Sequence, residues 1–295
     1  MKLTGAKRFG KRAEPILGQR RRGILLKVLL TAIFAALAFV FIIPFYWMFV
    51  SSLRPSELIF AESSKFFPSR VTLETYLKLF AQLPYFRWYL NSLIMTGGFA
   101  LLSVIVCTLG GFALAQYRFP SRDTIFLTIL GSQMVPFHLL LIPLFAMLVR
   151  LKLIDTYLGA IVPLVAHPFG LFYMRQYMLG ISSDLLDAAR VDGASEYRLF
   201  YEIVLPLVKP AMGTLAILFS MEFWNNLLWP LIVMRSEEKL PLAVGIAGLV
   251  NQYRPQYDLV MAASVLASVP IMILFLLMQR QFITGMTATA FVIEK

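Results

Sequence analysis

The residues able to do chemistry are few and scattered. Within long apolar runs the chain offers two histidines (His138 and His167), one cysteine (Cys107) and one acidic residue, Glu222. An embedded enzyme needs a convergent acid, base or metal set, and these positions do not spell one. Two histidines and one cysteine do not make a zinc site, and a lone cysteine forms no disulfide within the chain. No G-x-x-x-x-G-K-[ST] phosphate loop is present, so an energy-driven activity would need another chain to handle nucleotide.

Glu222 stands with Trp224, Asn225 and Asn226 in a polar, aromatic cluster. Carboxylate and amide groups can hydrogen-bond sugar hydroxyls, and an indole can stack on a sugar face. A charge inside a span is costly unless it faces water or a partner. The cluster, with Gln133, is therefore expected to line a solute pathway. The competing expectation is that Glu222 lies near an interface or packs on a second subunit. His138 and His167 read as weaker pathway candidates and, more simply, as hydrogen-bond partners between helices. Asn91 and Ser92 read as groups that satisfy backbone at the mouth of a span.

The elements that must position these residues are membrane helices. Of 295 residues, 59% are apolar and only 15% charged, against about 25% charged in soluble domains. Six spans of roughly 20 apolar residues can be drawn, near 28–50, 91–115, 125–149, 158–177, 211–234 and 259–278. The prolines Pro44, Pro136, Pro143, Pro163, Pro168, Pro230 and Pro270 fall inside them and are expected to bend or break them. The organisation reads as a basic tail over 1–27, a first span over 28–50, an outer loop over 51–87, a core over 88–279 and a tail over 280–295.

The net charge of +11 is not the footprint of a nucleic-acid binder, because nine Lys and Arg crowd into the first 27 residues, at the mouth of the first span. Counted by side, seventeen Lys and Arg share a face with both termini and ten lie opposite. Both termini are therefore expected in the cytoplasm. The amino terminus reads as a retained helix rather than a cleaved signal.

One cytoplasmic loop, about 178–210, is long and helix-rich. It reads as two short helices. Asp184 is a plausible N-cap with Asp187 in the first turn, Leu186, Ala189 and Arg190 share a face, and Gly193 can close the first helix in the left-handed conformation. Ser195 can start the second, expected to run to Leu205 before Pro206 and Pro210 restart the chain into the fifth span. Such a projecting, alanine-surfaced helix suits insertion into a groove on another protein.

These residues carry a family resemblance. Asp187-Ala188-Ala189, Gly193 and Ile203-Val204-Leu205-Pro206 resemble the cytoplasmic signature of ABC importer permeases, with Asp187 in place of the usual Glu and Ser182 where proline is frequent. Asp192-Gly193-Ala194, Phe200 and Pro210 are similar to the carbohydrate-uptake, maltose-type branch. So are Asn91-Ser92-Leu93, Tyr117-Arg118-Phe119-Pro120, Leu141-Ile142-Pro143-Leu144, Trp224-Asn225 and Leu228-Trp229-Pro230-Leu231. The resemblance implies an all-α membrane protein with six transmembrane helices in the type I ABC importer permease fold. It also implies a bacterial inner-membrane location. Asp187, Ala188, Ala189, Arg190, Asp192, Gly193 and Ala194 would form a coupling helix docked on one of two separate ATP-binding subunits. Those subunits would bind ATP and Mg, and no cofactor would bind this chain. A second permease subunit, an extracytoplasmic solute-binding protein and a sugar would complete the system. The alternatives are an ABC permease for another solute class and an ion-driven secondary transporter, which would carry paired intramembrane acids or unwound half-helices.

Overall fold

The computed structural model describes residues 16–63, 65–250 and 256–293. The first fifteen positions of the basic tail lie outside the described residues, as do the side chains of the tail over 280–295. Among the described residues there is no strand. The helices are α1 (Ile16–Ser52), α2 (Leu58–Ala61), α3 (Glu74–Gln82), α4 (Tyr85–Gln116), α5 (Arg122–Gly131), α6 (Phe137–Arg150), α7 (Tyr157–Ile161), α8 (Pro168–Leu179), α9 (Ser183–Val191), α10 (Glu196–Arg198), α11 (Leu205–Trp224), α12 (Leu228–Val233), α13 (Leu242–Val250) and α14 (Tyr257–Ile293).

Four helical stretches are long and apolar enough to cross a membrane, and two bent pairs make six if each pair is one span. Residues 24–45 of α1 are exposed throughout, as suits a helix whose apolar surface meets lipid or another chain. Helices α4, α8 and α11 enclose the main core, centred on Met95, Phe99, Met174, Leu215 and Phe219, with Cys107 buried among them. Tyr85 and Trp88 extend α4 ahead of the expected start at Asn91, because they pack beneath α13 and α14.

Three expected spans depart from straight helices. The third is two helices at 103°, and the fourth two at 50°. Val135, before Pro136, is extended, and Pro168 opens α8 with His167 extended at its N-cap; the residue before a proline is pushed out of the helical region. Pro44, Pro143 and Pro270 lie inside helices that continue through them.

The fifth span corrects the expected boundary. No restart occurs at Pro206 or Pro210. The helix runs unbroken from Glu196 to Trp224, through one widened π-type stretch over Leu199–Val204. That wider winding gives the Pro206 ring room against the preceding carbonyls, so helical dihedrals persist. The break comes later, at 225–227, before α12.

Candidate functional site

The projecting segment is built as a closed knob. Its N-cap is Ser182, not Asp184, which falls in the first turn beside the positive helix end. At the other end, Gly193 takes φ +84°. The Ala194 amide donates to the Ala189 carbonyl and the Gly193 amide to that of Arg190, both at 3.0 Å. These paired bonds are the Schellman closure that the left-handed glycine permits. Ser195 then caps the next helix by accepting from the Arg198 amide at 3.3 Å.

Leu186 is buried and Ala189 packs against the core, as their shared face requires. Of the two alanines, only Ala188 is exposed. The outward stripe also holds Leu185 and Val191, the latter 87% exposed. The sequence reading missed both, although their spacing around Ala188 is the helical repeat that marks one face. Arg190 does not point away freely. It binds Asp187 Oδ1 at 2.9 Å and Glu196 Oε1 at 3.0 Å. The Tyr117 hydroxyl donates to Glu196 Oε2 at 2.6 Å. Burial, with Glu196 beside it, pushes the Tyr117 phenol up to about 12, so it stays a donor. One polar chain thus ties the end of α4 to α9 and to the start of the long fifth helix. An open cleft of about 820 Å³ lies alongside, lined by Gln116, Arg118, Arg122, Ser183, Asp187 and Arg190.

Deeper in the bundle, the breaks in spans three, four and five converge. His167, at the break of span four, places Nε2 3.3 Å from Glu222 Oε1, near the end of α11. Phe137, just past the break of span three, meets Trp229, just past the break of span five, at a ring separation of 6.1 Å. The Trp229 indole donates to the Ala160 carbonyl at 2.9 Å. Irregular backbone at membrane depth is tolerated only in protein or along a cavity.

The predicted pathway residues divide here. Glu222 and Asn225 are exposed, and Gln133 lies exposed at the bend of span three. Trp224 is buried, its indole donating to the Ala267 carbonyl at 3.0 Å and its ring edge-on to Tyr89. Asn225 Nδ2 donates to the Met221 carbonyl at 2.7 Å, and Asn226 Oδ1 accepts from the Trp229 amide at 3.2 Å. The two asparagines thus satisfy backbone on either side of the break. The structure places no contact between Gln133 and Glu222. The pairing of His167 with Glu222 joins residues 55 apart, and the sequence reading had only the generic expectation of an interhelical partner.

At the end of the bundle away from α9, loops are stitched to helices. Asn91 Nδ2 donates to the Glu238 and Leu240 carbonyls at 2.8 and 3.0 Å, its Oδ1 accepts from the Tyr157 hydroxyl, and Ser92 Oγ accepts from the Leu242 amide. Both residues satisfy backbone at the mouth of α4, as expected. Asp155 accepts from the amides of Arg235 and Ser236, the Ser236 hydroxyl and Lys239 Nζ. Burial pushes its carboxyl up, but those four donors outweigh it and hold the group well below the usual carboxylate range.

Comparisons with known proteins agree with this architecture. Residues 107–288 match the family described as binding-protein-dependent transport system inner membrane component. The chain is 39% identical to the arabinooligosaccharides transport system permease protein AraQ of Halalkalibacterium halodurans, over 91% of this chain and 98% of AraQ. It is 32% identical to the lactose transport system permease protein LacG of Rhizobium radiobacter, over 84% of this chain and 90% of LacG. Among solved structures, a bacterial ABC transporter involved in the import of the acidic polysaccharide alginate has a chain of the same fold. Its TM-score is 0.74 at 25% identity, covering 90% of this chain and 98% of that one. Matching the family over most of its length, and with relatives matched almost end to end, the chain belongs to the binding-protein-dependent transport system inner membrane components, as a permease subunit of an ABC importer.

Proposed function

We propose that this subunit forms half of the translocation pathway for a saccharide, with both termini cytoplasmic and α9 as the helix that docks on a separate ATP-binding subunit. The observation that carries this reading is mechanical. The capped knob of α9 is tied by Arg190 and Glu196 to a helix that runs without interruption from Glu196 to Trp224. A push on α9 therefore reaches Glu222, on the same helix, as a movement of one rod. The Lys and Arg distribution supports the cytoplasmic placement of that knob. The names of AraQ and LacG support a saccharide as cargo.

In this mechanism two ATP-binding subunits, which hold ATP and Mg, close on one another and carry two such knobs with them, one from this chain and one from a second permease subunit. The pathway opens toward the solute-binding protein and resets after hydrolysis. On this chain the docking surface is Leu185, Ala188 and Val191, edged by Asp184 and Asp192. Asp187 and Arg190 hold it in place. Gly193 and Ala194 close it, and Ala189 seats it on the core.

The test is co-purification of the ATP-binding subunit with Ala188→Arg and Val191→Arg. Both positions are exposed, so folding and membrane insertion are retained while association and uptake fall together. Full association and full uptake in both variants would remove α9 from the coupling role.

A further inference from the structure

Between residues 88–117, 124–149, 156–174, 210–234 and 259–279 the sequence holds no Lys, Arg or Asp, and Glu222 is the one Glu. The fold places that carboxylate beside the break of span four, with its side chain 52% exposed. Its hydrogen-bond partner among the described residues is His167, whose ring sits 5.0 Å from that of Phe219 and edge-on to Phe169. His167 Nδ1 is buried and has no hydrogen-bond partner among the described residues, so there the ring meets polar groups through Nε2. That contact engages Glu222 Oε1, and the half-exposed side chain leaves room for a further donor to the carboxylate. The neighbouring Asn225 and Asn226 are uncharged, and their side chains bond to the backbone of the break.

We infer that Glu222, held by His167, makes this subunit's part of the pathway select neutral, hydroxyl-rich solutes over anionic ones. A hydroxyl can donate to the carboxylate. A carboxylate or phosphate on the cargo has nothing to donate, and it meets a like charge with no Lys or Arg from this chain's spans to offset it. This inference rests on the reading of the chain as a saccharide permease and narrows it. It sets this chain apart from the structural relative involved in importing an acidic polysaccharide, despite the shared fold. His167 is a positioning residue here, and Glu222 is the group that meets solute.

The experiment uses the purified complete importer in nanodiscs, without its solute-binding protein, so that only the membrane pathway discriminates. Two probes of nearly equal size are titrated by saturation-transfer NMR: arabinotriose, and the aldonate made by oxidising its reducing end. The wild type is expected to bind the neutral probe about tenfold more tightly than the anion. Glu222→Gln, which keeps an acceptor and removes the charge, brings the two within about threefold, chiefly by strengthening the anion. Glu222→Asp keeps the charge and the preference. A preference that survives in Glu222→Gln, or vanishes in Glu222→Asp, overturns the inference and leaves docking through α9 standing. A wild-type importer that binds neither probe overturns the saccharide reading and this inference together.

Discussion

The two ends of the bundle solve the same problem in opposite ways. Away from α9, two loops are stitched to the helices within the chain: Asn91 and Ser92 hold the 238–242 segment, and Asp155 gathers four donors from 235–239. At the α9 end, the polar chain from Tyr117 to Asp187 lies largely exposed, and an apolar stripe stands bare beside it. Two glycines make the contrast concrete. Gly245 is demanded by packing, because a Cβ there would sit 2.3 Å from the Trp88 ring. Gly193 is demanded by its backbone, since a Cβ would meet nothing within 4 Å while φ is +84°. The first end is stitched by contacts within its own chain. The second leaves bare the stripe proposed above to meet another.

The largest break in that comparison comes from filling the space at Gly245. Gly245→Leu drives a side chain into a buried indole whose N–H donates to the Glu237 carbonyl at 3.1 Å. The expected loss is about 3 kcal/mol, read as a lower unfolding midpoint in detergent and a lower folded yield. Wild-type stability in this variant would mean that the two helices are not in close contact.

Next in size is Asp155→Ala, which strands the amides of Arg235 and Ser236 and the Lys239 ammonium. About 2 kcal/mol is expected. The pH dependence has a definite sign. The folded carboxyl titrates below its unfolded value, so its contribution is complete above the ordinary carboxylate range near pH 4 and is lost as pH falls through that range toward the folded value. A difference in stability between wild type and Asp155→Asn that shrinks from pH 6 to pH 3 is the signature. A difference independent of pH would assign the cost to packing alone.

Gly193→Ala is smaller, about 1 kcal/mol, because it adds only the strain of a left-handed alanine. At this end the functional loss is expected to exceed the structural one. Association with the ATP-binding subunit falls several-fold while the unfolding midpoint barely moves. The reverse pattern would make the end that bears α9 resemble the other.

How much of this was legible in the sequence depends on what each feature needs. Composition and run length yield membrane helices, because burial in lipid is a property of single segments. The left-handed role of Gly193 was legible too, since a cap is local. Ser182 displaced Asp184 as N-cap because helix onset also depends on where Leu186 docks. The continuity of the fifth helix through Pro206 was hidden, as a proline signals a break unless a widened turn relieves it. The meeting of His167 with Glu222, and the burial of Trp224 against Ala267, depend on how spans four, five and six pack together, which no local pattern encodes.

The smallest expected effect on stability tests the comparison most sharply. Tyr117→Phe deletes a single hydroxyl, the donor that links the end of α4 to Glu196 at 2.6 Å. Glu196 keeps Arg190 at 3.0 Å, so no carboxylate is stranded, and the cost is about 0.5 kcal/mol. The surface proposed to meet the ATP-binding subunit is untouched, and association is expected to be unchanged. What the variant loosens is the tie between the knob and α4. If that tie carries movement into the bundle, ATP hydrolysis continues while solute moved per ATP falls, about twofold for a change of this size in coupling energy. Unchanged transport per ATP would confine the transmitted movement to the continuous helix from Glu196 to Trp224, with α4 a passive neighbour.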